Sequence, residues 1–350
     1  MNRFRVVAPT RADLAGGTLD LWPLYCEVRG GKTINVALDL FATATFEVMP
    51  AVTFQMQIES FGNAKCSFEE PLLENQIAKL PTAVQFPAMV ASEFLRQEPF
   101  LPEQMIRLKV EAQAPLRSGL GGSSTLCVAM VKGLSQIFRR FPGTDWQWQM
   151  LNWVKDVEAA FLRTPTGTQD YLAALFGGLN SFSFDLGKVQ RESFSESTLE
   201  ALNERMIILF SGEMHSSGLS NWELFKNAME GNEGVLQGFR AIKRIAEELN
   251  GEMARPQVDW TALGKLLNEE WRVRKEVFKV QTKRLDELIE FLTSQKVLGS
   301  KVCGAAQGGS LIALVEPQHR EAVIKACETR GIQVLKTRAV STGVTLIPQT

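Results

Sequence analysis

Apolar and polar residues alternate with a period of two along much of the first 112 residues, a pattern typical of half-buried β-strands. Residues 3–8 form the first such stretch and are expected to run into a loop, and residues 33–49 form the second. Residues 54–61 follow after a break that contains proline, and residues 106–112 alternate again. The first part of the chain is therefore expected to be a sheet of hairpins.

Helical spacing replaces this alternation after residue 122. Apolar side chains recur there every three or four residues, which predicts helices over residues 123–140, 148–163 and 168–177. Gly177 and Gly178 are expected to close the third helix.

The pattern resets near residue 190 and predicts a second set of strands and helices. The predicted elements are a strand over residues 205–214, two or three helices between 219 and 296, and then strand 310–316, helix 319–331 and strand 331–340. We expect an α+β (α/β) chain with two domains, residues 1–190 and 191–350, because 350 residues are long for a single domain.

Composition favours a small-molecule partner. The 38 Lys and Arg against 39 Asp and Glu give a net charge of −1, which offers no electrostatic reason to expect nucleic acid or an anionic membrane. The first residues lack the apolar core of a signal peptide, and no apolar run is long enough for a membrane helix. The five cysteines are scattered and never spaced as CxxC, so we expect reduced thiols in a cytoplasmic monomer or homodimer without structural zinc.

The segment "APLRSGLGGSST", residues 114–125, places a glycine cluster at the start of the first predicted helix. A helix start has unpaired backbone N–H groups and a partial positive charge, so a glycine-rich turn lets a phosphate approach closely. The hydroxyls of Ser123 and Ser124 are candidates for an N-cap and for a ligand of phosphate-bound magnesium. Taken alone, the segment fits a capped turn as well as it fits a phosphate loop.

Two common nucleotide-binding patterns do not fit this segment. A Walker loop needs a lysine, and none occurs between Lys109 and Lys132, while a Rossmann fingerprint needs glycine at the position of Ser124. The segment instead resembles the P-x-x-x-G-L-G-S-S motif of the GHMP kinases. The matching residues are Pro115, Gly119, Leu120, Gly121 and Ser123, with Gly122 in place of the first serine of the pair.

Further segments carry the same resemblance, toward the sugar-kinase branch of the family that includes heptose 7-phosphate kinase and fucokinase. The opening "APTRADLAGGTLDLWPLY" is similar to its first motif through Arg11, Gly16, Gly17 and Asp20. "PTGTQDYLAALFGGLNSFSF" resembles its substrate segment, and "GSKVCGAAQGGSLIALV" resembles the third GHMP motif. The resemblance implies the GHMP kinase fold, with an N-terminal domain like ribosomal protein S5 domain 2 and a ferredoxin-like C-terminal domain.

The resemblance also implies roles for individual residues, with ATP and Mg²⁺ as the reaction's partners. It makes Asp170 the catalytic carboxylate, which by itself would more often be a helix cap. Arg11 would compensate charge near the transferred phosphoryl group, or else pair with Asp13 on the surface. The remaining implied residues are Gly119, Leu120, Gly121, Gly122, Ser123 and Ser124 for the ATP phosphates, Ser123 and Glu158 for the metal, and Asp20, Gly17, Gln169 and Gly308 for the substrate.

Alternatives remain open for several of these positions. Asp156 is a rival of Glu158 as the acidic magnesium ligand. The third motif has Ala306 and Gln307 where relatives have glycines, which affects the expected substrate more than the expected fold. The basic residues Arg272, Arg274 and Lys275 either clamp a substrate phosphate or form a solvated helix face.

Three functions of different classes follow from these observations. We favour ATP-dependent phosphorylation of a sugar or sugar phosphate, at the anomeric hydroxyl. An isoprenoid-type GHMP kinase for mevalonate or phosphomevalonate is the second, and a GHMP-fold binding protein without transferase activity is the third. A serine hydrolase built on Ser123 and His215 is disfavoured because the G-x-S-x-G elbow is missing.

Overall fold

A computed structural model of the chain describes residues 2–213, 217–304 and 309–349. The strands of the described residues are β1 Asn2–Ala15, β2 Gly31–Pro50, β3 Gln55–Ser60, β4 Ala64–Phe68, β5 Gln104–Ala112, β6 Leu179–Asp185, β7 Lys188–Ser193, β8 Met206–Phe210, β9 Gly299–Val302, β10 Ser310–Leu314, β11 Gln333–Leu335 and β12 Thr345–Gln349. The helices are α1 Leu24–Glu27, α2 Glu74–Ile77, α3 Thr82–Arg96, α4 Gly122–Phe138, α5 Trp146–Leu162, α6 Gln169–Phe176, α7 Glu196–Asn203, α8 Ser217–Met229, α9 Glu233–Met253, α10 Trp260–Glu276, α11 Lys283–Ser294 and α12 Arg320–Thr329.

The first sheet is built around the long strand β2. Its strand order is β12-β1-β2-β5-β3-β4, with β6 and β7 attached to the first half of β2. All neighbours are antiparallel except β3 and β5. One edge of β2 pairs with β1 along most of its length, and the other edge is shared, because its 20 residues give one half to β5 and the other half to β6.

Helices α3 to α6 cover one face of this sheet and bury its apolar side chains. The core there includes Phe46, Phe94, Met130 and Tyr171, each without exposed surface. Gly133 on α4 allows a close approach to the sheet, since a Cβ at that position would lie 2.0 Å from the ring of Phe46. This packing fixes the start of α4, and with it the glycine-rich turn, relative to β1.

The second sheet has four antiparallel strands in the order β11-β8-β10-β9. Helices α9 to α11 contribute Phe239, Trp271 and Leu288 to a core that also takes in Leu19 and Leu24 from the segment after β1. The segment that carries the first motif is therefore held by the second half of the chain as well as by the first sheet.

Several predicted elements need correction. β1 continues to Ala15, where a loop was expected, because β2 is long enough to pair with it throughout. Four helices, not two or three, lie between residues 217 and 294. The strand expected over residues 331–340 is limited to β11, because the chain then leaves β8 and Ala339 bridges to Leu38 of β2.

The predicted limits of the two domains stay a prediction. β12 pairs with β1 in the first sheet, so the last described residues return to the N-terminal half of the chain.

The five cysteines are free thiols. In the part of the chain that the structure describes, no helix combines the length and the hydropathy needed to cross a membrane.

Candidate active site

The glycine-rich turn joins β5 to α4 and takes backbone conformations that suit glycine. Gly119 and Gly121 have φ values of +74° and +77°, in the left-handed region. Gly121 is also packed closely, since a Cβ there would lie 2.9 Å from Cγ of Asp170. Leu120 buries its side chain in the core, and its carbonyl oxygen accepts a hydrogen bond from the Arg11 N–H at 3.1 Å. The turn is thus fixed against both β1 and α6.

The hydroxyls of Ser123 and Ser124 do not cap α4. The helix begins at Gly122, so both serines lie inside its first turn, past the position where a side chain can serve as N-cap. Both hydroxyls instead donate to the carboxylate of Glu158 on α5, Ser123 to Oε1 and Ser124 to Oε2 at 2.7 Å. The expectation of a serine cap is wrong, and the expected closeness of Ser123 and Glu158 is observed.

Glu158 is a buried carboxylate surrounded by hydroxyl donors. It is 2% exposed, and the phenol of Tyr171 donates to its Oε2 at 2.6 Å. Burial raises the pKa of Glu158, against the opposing effect of the three hydroxyl hydrogen bonds. The rival Asp156 is exposed and pairs with Lys155 at 2.7 Å. The contact of Tyr171 with Glu158 was not predicted from the sequence. The one indication of a role for Tyr171 was its position next to Asp170.

Asp170 and Arg11 form an ion pair beside the glycine-rich turn. Oδ1 of Asp170 accepts from Nε of Arg11 at 2.8 Å and lies 2.6 Å from its Nη2, while Nη1 donates to the carbonyl oxygen of Gly119. Burial would lower the pKa of Arg11, but the carboxylates of Asp170 and Asp13 raise it. The two alternative interpretations are wrong: Asp170 does not cap α6, and Arg11 does not pair with Asp13 on the surface, because it is buried against Asp170.

Asp20 contacts Gln169, the residue that precedes Asp170 in the chain. Oδ2 of Asp20 accepts from the Gln169 N–H at 2.9 Å, and Nδ2 of Asn35 donates to the Gln169 carbonyl oxygen at 3.2 Å. Among the described residues, the side-chain oxygens of Gln169 and Asn35 are buried without a hydrogen-bond partner. Burial raises the pKa of Asp20 to about 6. Carboxylate and amide groups are hydrogen-bond partners that hydroxyl groups of a ligand use.

The described residues of the third motif contact the glycine-rich turn. Cβ atoms at Gly304 and Gly309 would lie 3.0 Å from the carbonyl oxygen of Gly119 and 2.8 Å from that of Ser118. The Ser310 N–H donates to the Ser118 carbonyl oxygen at 2.7 Å. The predicted substrate residue Gly308, the altered positions Ala306 and Gln307, and His215 lie outside the described residues.

A group of four buried charges lies behind the first motif and was not predicted. We call Asp13, Glu270, Arg274 and Lys301 the buried charge cluster; none is more than 1% exposed. Nζ of Lys301 lies 2.6 Å from Oδ2 of Asp13 and 3.0 Å from Oε1 of Glu270, which also accepts from Nε of Arg274 at 2.9 Å. Burial would raise the pKa of Asp13, but Lys301, Arg11 and Arg274 lower it to about 2.

This cluster corrects the interpretation of the basic segment of α10. Arg274 is buried in the cluster, whereas Arg272 is exposed and lies 3.6 Å from Glu276, and Lys275 pairs with Asp286. The three side chains therefore form neither a phosphate clamp nor a common solvated face. The available signal was their spacing, because Glu270 and Arg274 continue at helical intervals the apolar stripe of Leu263 and Leu267.

The predicted substrate residue Gly17 also contacts this cluster. Its carbonyl oxygen accepts from Nη2 of Arg274 at 2.7 Å, and a Cβ there would lie 2.7 Å from Oδ2 of Asp13. The absence of a side chain at Gly17 therefore lets Asp13 and Arg274 pack against the main chain of the first motif.

These features agree with the two family models that match the chain. The N-terminal domain of GHMP kinases matches residues 86–178, which hold the glycine-rich turn and Asp170, and the C-terminal GHMP kinase domain matches residues 254–333. The chain belongs to the GHMP kinase family and is a kinase.

The chain is similar to curated sugar kinases and sugar-phosphate kinases. It is 25% identical over 334 residues to the D-glycero-alpha-D-manno-heptose 7-phosphate kinase of Campylobacter jejuni, covering 93% of each chain. It is 26% identical over 329 residues to the bifunctional fucokinase/GDP-fucose pyrophosphorylase of Arabidopsis thaliana, covering 90% of this chain and 30% of that protein.

Solved structures share the fold at lower identity. The crystal structure of a D-glycero-D-manno-heptose 1-phosphate kinase from Bacteroides thetaiotaomicron has a TM-score of 0.76 at 22% identity and covers 99% of both chains. Lactococcus lactis galactokinase complexed with galactose has a TM-score of 0.77 at 17% identity, covering 98% of this chain and 95% of that one. The predicted α+β fold class of GHMP kinases is confirmed.

Proposed function

We propose that this kinase transfers the γ-phosphoryl group of ATP to the anomeric hydroxyl of a sugar phosphate of the heptose 7-phosphate class. The observation that carries the proposal is the position of Asp170. Its carboxylate is held by Arg11, packs against Gly121 of the glycine-rich turn, and follows Gln169, which contacts Asp20. The glycine-rich turn thus packs against the Asp170 carboxylate, and a group of hydroxyl acceptors adjoins the same residue.

The two oxygens of the Asp170 carboxylate have distinct parts in the proposed reaction. Because Arg11 holds Oδ1, Oδ2 is the oxygen that takes the proton of the attacking sugar hydroxyl. That hydroxyl oxygen forms a bond to the γ-phosphorus, and the bond from the γ-phosphorus to the bridging oxygen of ADP breaks. Backbone N–H groups from Gly119 to Ser124 bind the phosphates, and Asp20, Gly17, Gln169 and Gly308 bind the sugar.

The side-chain oxygens near the start of α4 are suitable ligands for Mg²⁺. Ser123 is exposed while its hydroxyl contacts Glu158, whose other oxygen is already occupied by Ser124 and Tyr171. Mg²⁺ prefers oxygen ligands and is commonly bound by one or two carboxylates together with substrate phosphates. We propose that Ser123 and Glu158 hold the ion, which supplies charge neutralisation on the β- and γ-phosphates.

Two further properties belong to the proposal. The free cysteines and the balanced charge support a cytoplasmic enzyme, monomeric or homodimeric, that binds neither nucleic acid nor membranes. We retain residues 1–190 as the ATP-binding domain and 191–350 as the C-terminal domain, with β12 returning to the first sheet.

A substrate panel tests the proposed function. We expect magnesium-dependent ADP release with D-glycero-D-manno-heptose 7-phosphate, at a kcat/KM at least about a hundredfold above that for fucose, galactose or mevalonate, because a site that pairs with the polar groups of its acceptor rejects analogues that leave those groups unpaired. Phosphorus NMR of the product is expected to show an anomeric phosphate. Turnover of mevalonate alone would replace the proposal with the isoprenoid alternative, and ligand binding without any ADP would replace it with the binding-protein alternative.

Replacing Asp20 is expected to separate stability from substrate binding. The pKa of Asp20 is raised from 3.8 to about 6, so the folded protein loses stability as the pH rises through this interval. Asp20→Asn removes the buried charge and is expected to raise the free energy of unfolding at pH 8 by up to about 3 kcal/mol, at ~1.4 kcal/mol per pKa unit. The same variant is expected to raise the acceptor KM about tenfold or more, because one hydroxyl acceptor becomes a donor.

Urea unfolding at pH 8 and pH 4 checks this prediction, with the exposed Asp185→Asn as control. The gain in stability is expected to fall below about 1 kcal/mol at pH 4, because Asp20 is then protonated in the folded protein. A variant that is less stable at pH 8 and equally active would contradict both parts of the prediction.

A further inference from the structure

The loop that leads to the proposed sugar-binding residue Asp20 is held by hydrogen bonds from helix α10. The Gly16 N–H donates to Oε2 of Glu270 at 2.9 Å, and the Gly17 carbonyl oxygen accepts from Nη2 of Arg274 at 2.7 Å. Both bonds are buried and join residues more than 250 positions apart in sequence. Within the loop, Leu19 N–H donates to the Gly16 carbonyl oxygen at 3.0 Å. The main chain that leads to Asp20 thus depends on two charged side chains of the second half of the chain.

Those two side chains are themselves held by the rest of the buried charge cluster. Nε of Arg274 and Nζ of Lys301 share Oε1 of Glu270, at 2.9 Å and 3.0 Å. Lys301 also pairs with Asp13, whose other oxygen accepts from the Gly304 N–H at 2.7 Å. Two positive and two negative groups balance, so that every charge has a partner at hydrogen-bond distance. Such a network is stable in one arrangement, because any displacement leaves a buried charge unpaired.

The cluster also reaches the phosphate side of the site. The Gly304 N–H donates to Asp13, and Gly304 lies against Gly119 of the glycine-rich turn. The same four side chains therefore connect the loop of Gly16 and Gly17 with the third motif, and through it with the glycine-rich turn. Apolar side chains of similar volume would fill this space at no greater cost, but they would leave the Gly16 N–H and Gly17 carbonyl without their partners.

We propose that Glu270, Arg274 and Lys301 are positioning residues that fix the main chain of residues 16–20, and so place Asp20 for the acceptor sugar. The inference rests on the proposed function for the identity of the acceptor, but the placement of the loop is independent of it. None of the three side chains contacts substrate. They act through Gly16 and Gly17, and Asp13 joins their charge balance to the third motif.

Arg274→Met tests the proposal with two readouts. Hydrogen exchange of backbone amides in peptides covering residues 14–24, measured without substrate, is expected to speed up about tenfold or more, while exchange in α4 stays unchanged. The KM for heptose 7-phosphate is expected to rise about tenfold, with the KM for ATP within about twofold of the parent protein. Arg274→Lys keeps the charge but not the two-pronged geometry, and is expected to recover part of both effects.

Two further variants keep the test decisive. Glu270→Gln/Arg274→Met leaves the cluster neutral and serves if the single variant does not fold. Leu292→Ala, in the core of the second half, is the control for general loss of stability and is expected to leave both KM values unchanged.

The possible outcomes separate the inference from the proposed function. Unchanged exchange in residues 14–24, or KM values for both substrates that rise equally, would overturn the positioning role. If the parent protein does not phosphorylate heptose 7-phosphate, the proposed substrate is wrong, and the exchange measurement still decides whether α10 holds the loop.

Discussion

Asp170→Asn is expected to lower kcat by about a thousandfold or more, within the range by which a general base accelerates a reaction. The asparagine keeps an oxygen that accepts the hydrogen bonds of Arg11, so the side chain stays in place beside Gly121. It has no carboxylate to take the proton of the sugar hydroxyl or to balance the buried guanidinium. We therefore expect the loss in kcat, with the KM for ATP changed by less than about threefold.

Single-turnover measurements with saturating ATP and heptose 7-phosphate check this expectation. Calorimetric binding of ATP to the variant is the control that the phosphate side of the site is intact. An Asp170→Asn protein that retains the kcat of the parent would remove Asp170 from the catalytic role and leave Arg11 with a purely structural one.

Glu158→Gln is expected to produce the second large effect, on the magnesium requirement. Three hydroxyls donate to the Glu158 carboxylate, and the amide of glutamine presents N–H donors to one or more of them. The variant also removes the negative charge that we assign to the ion. We expect the Mg²⁺ concentration for half-maximal activity to rise about tenfold or more and kcat to fall about a hundredfold, as for other changes to a metal site and its supporting groups.

A magnesium titration at fixed ATP checks this result, with calorimetry of Mg²⁺ and ATP binding as a readout that does not depend on turnover. Asp156→Asn is a matched control because it changes a carboxylate on the same helix that is exposed and paired with Lys155. If Asp156→Asn shifts the titration and Glu158→Gln does not, the acidic ligand has been assigned to the wrong residue.

The parts of the site that lie close together in sequence were the parts that sequence could predict. The glycine-rich turn, the strand before it and the helix after it share one continuous segment, and their pattern defines them together. The meeting of Ser123 with Glu158 and the place of Asp170 followed from motif resemblance. The orientation of their side chains did not, as the absence of a serine cap at α4 illustrates.

The buried charge cluster as a whole could not be predicted, because the sequence signals burial only for Glu270 and Arg274, which continue the apolar stripe of α10, and not for Asp13 or Lys301. Asp13, Glu270, Arg274 and Lys301 come from three distant segments, and charged residues are usually found at the surface. Only the tertiary fold, which brings β1, α10 and β9 together, shows that these charges neutralise one another. The short strand β12 was missed for a similar reason, since its pairing partner is more than 300 residues away.

The pairing of β12 with β1 has a consequence for how the protein is made. Residues 3–7 are synthesised more than 300 residues before their partners at 345–349, so this pairing waits until those partners have been made. Until then the outer edge of β1 is an open strand edge, available to other chains. We therefore expect truncated forms that lack residues 345–349 to be more prone to aggregation than a chain that contains them.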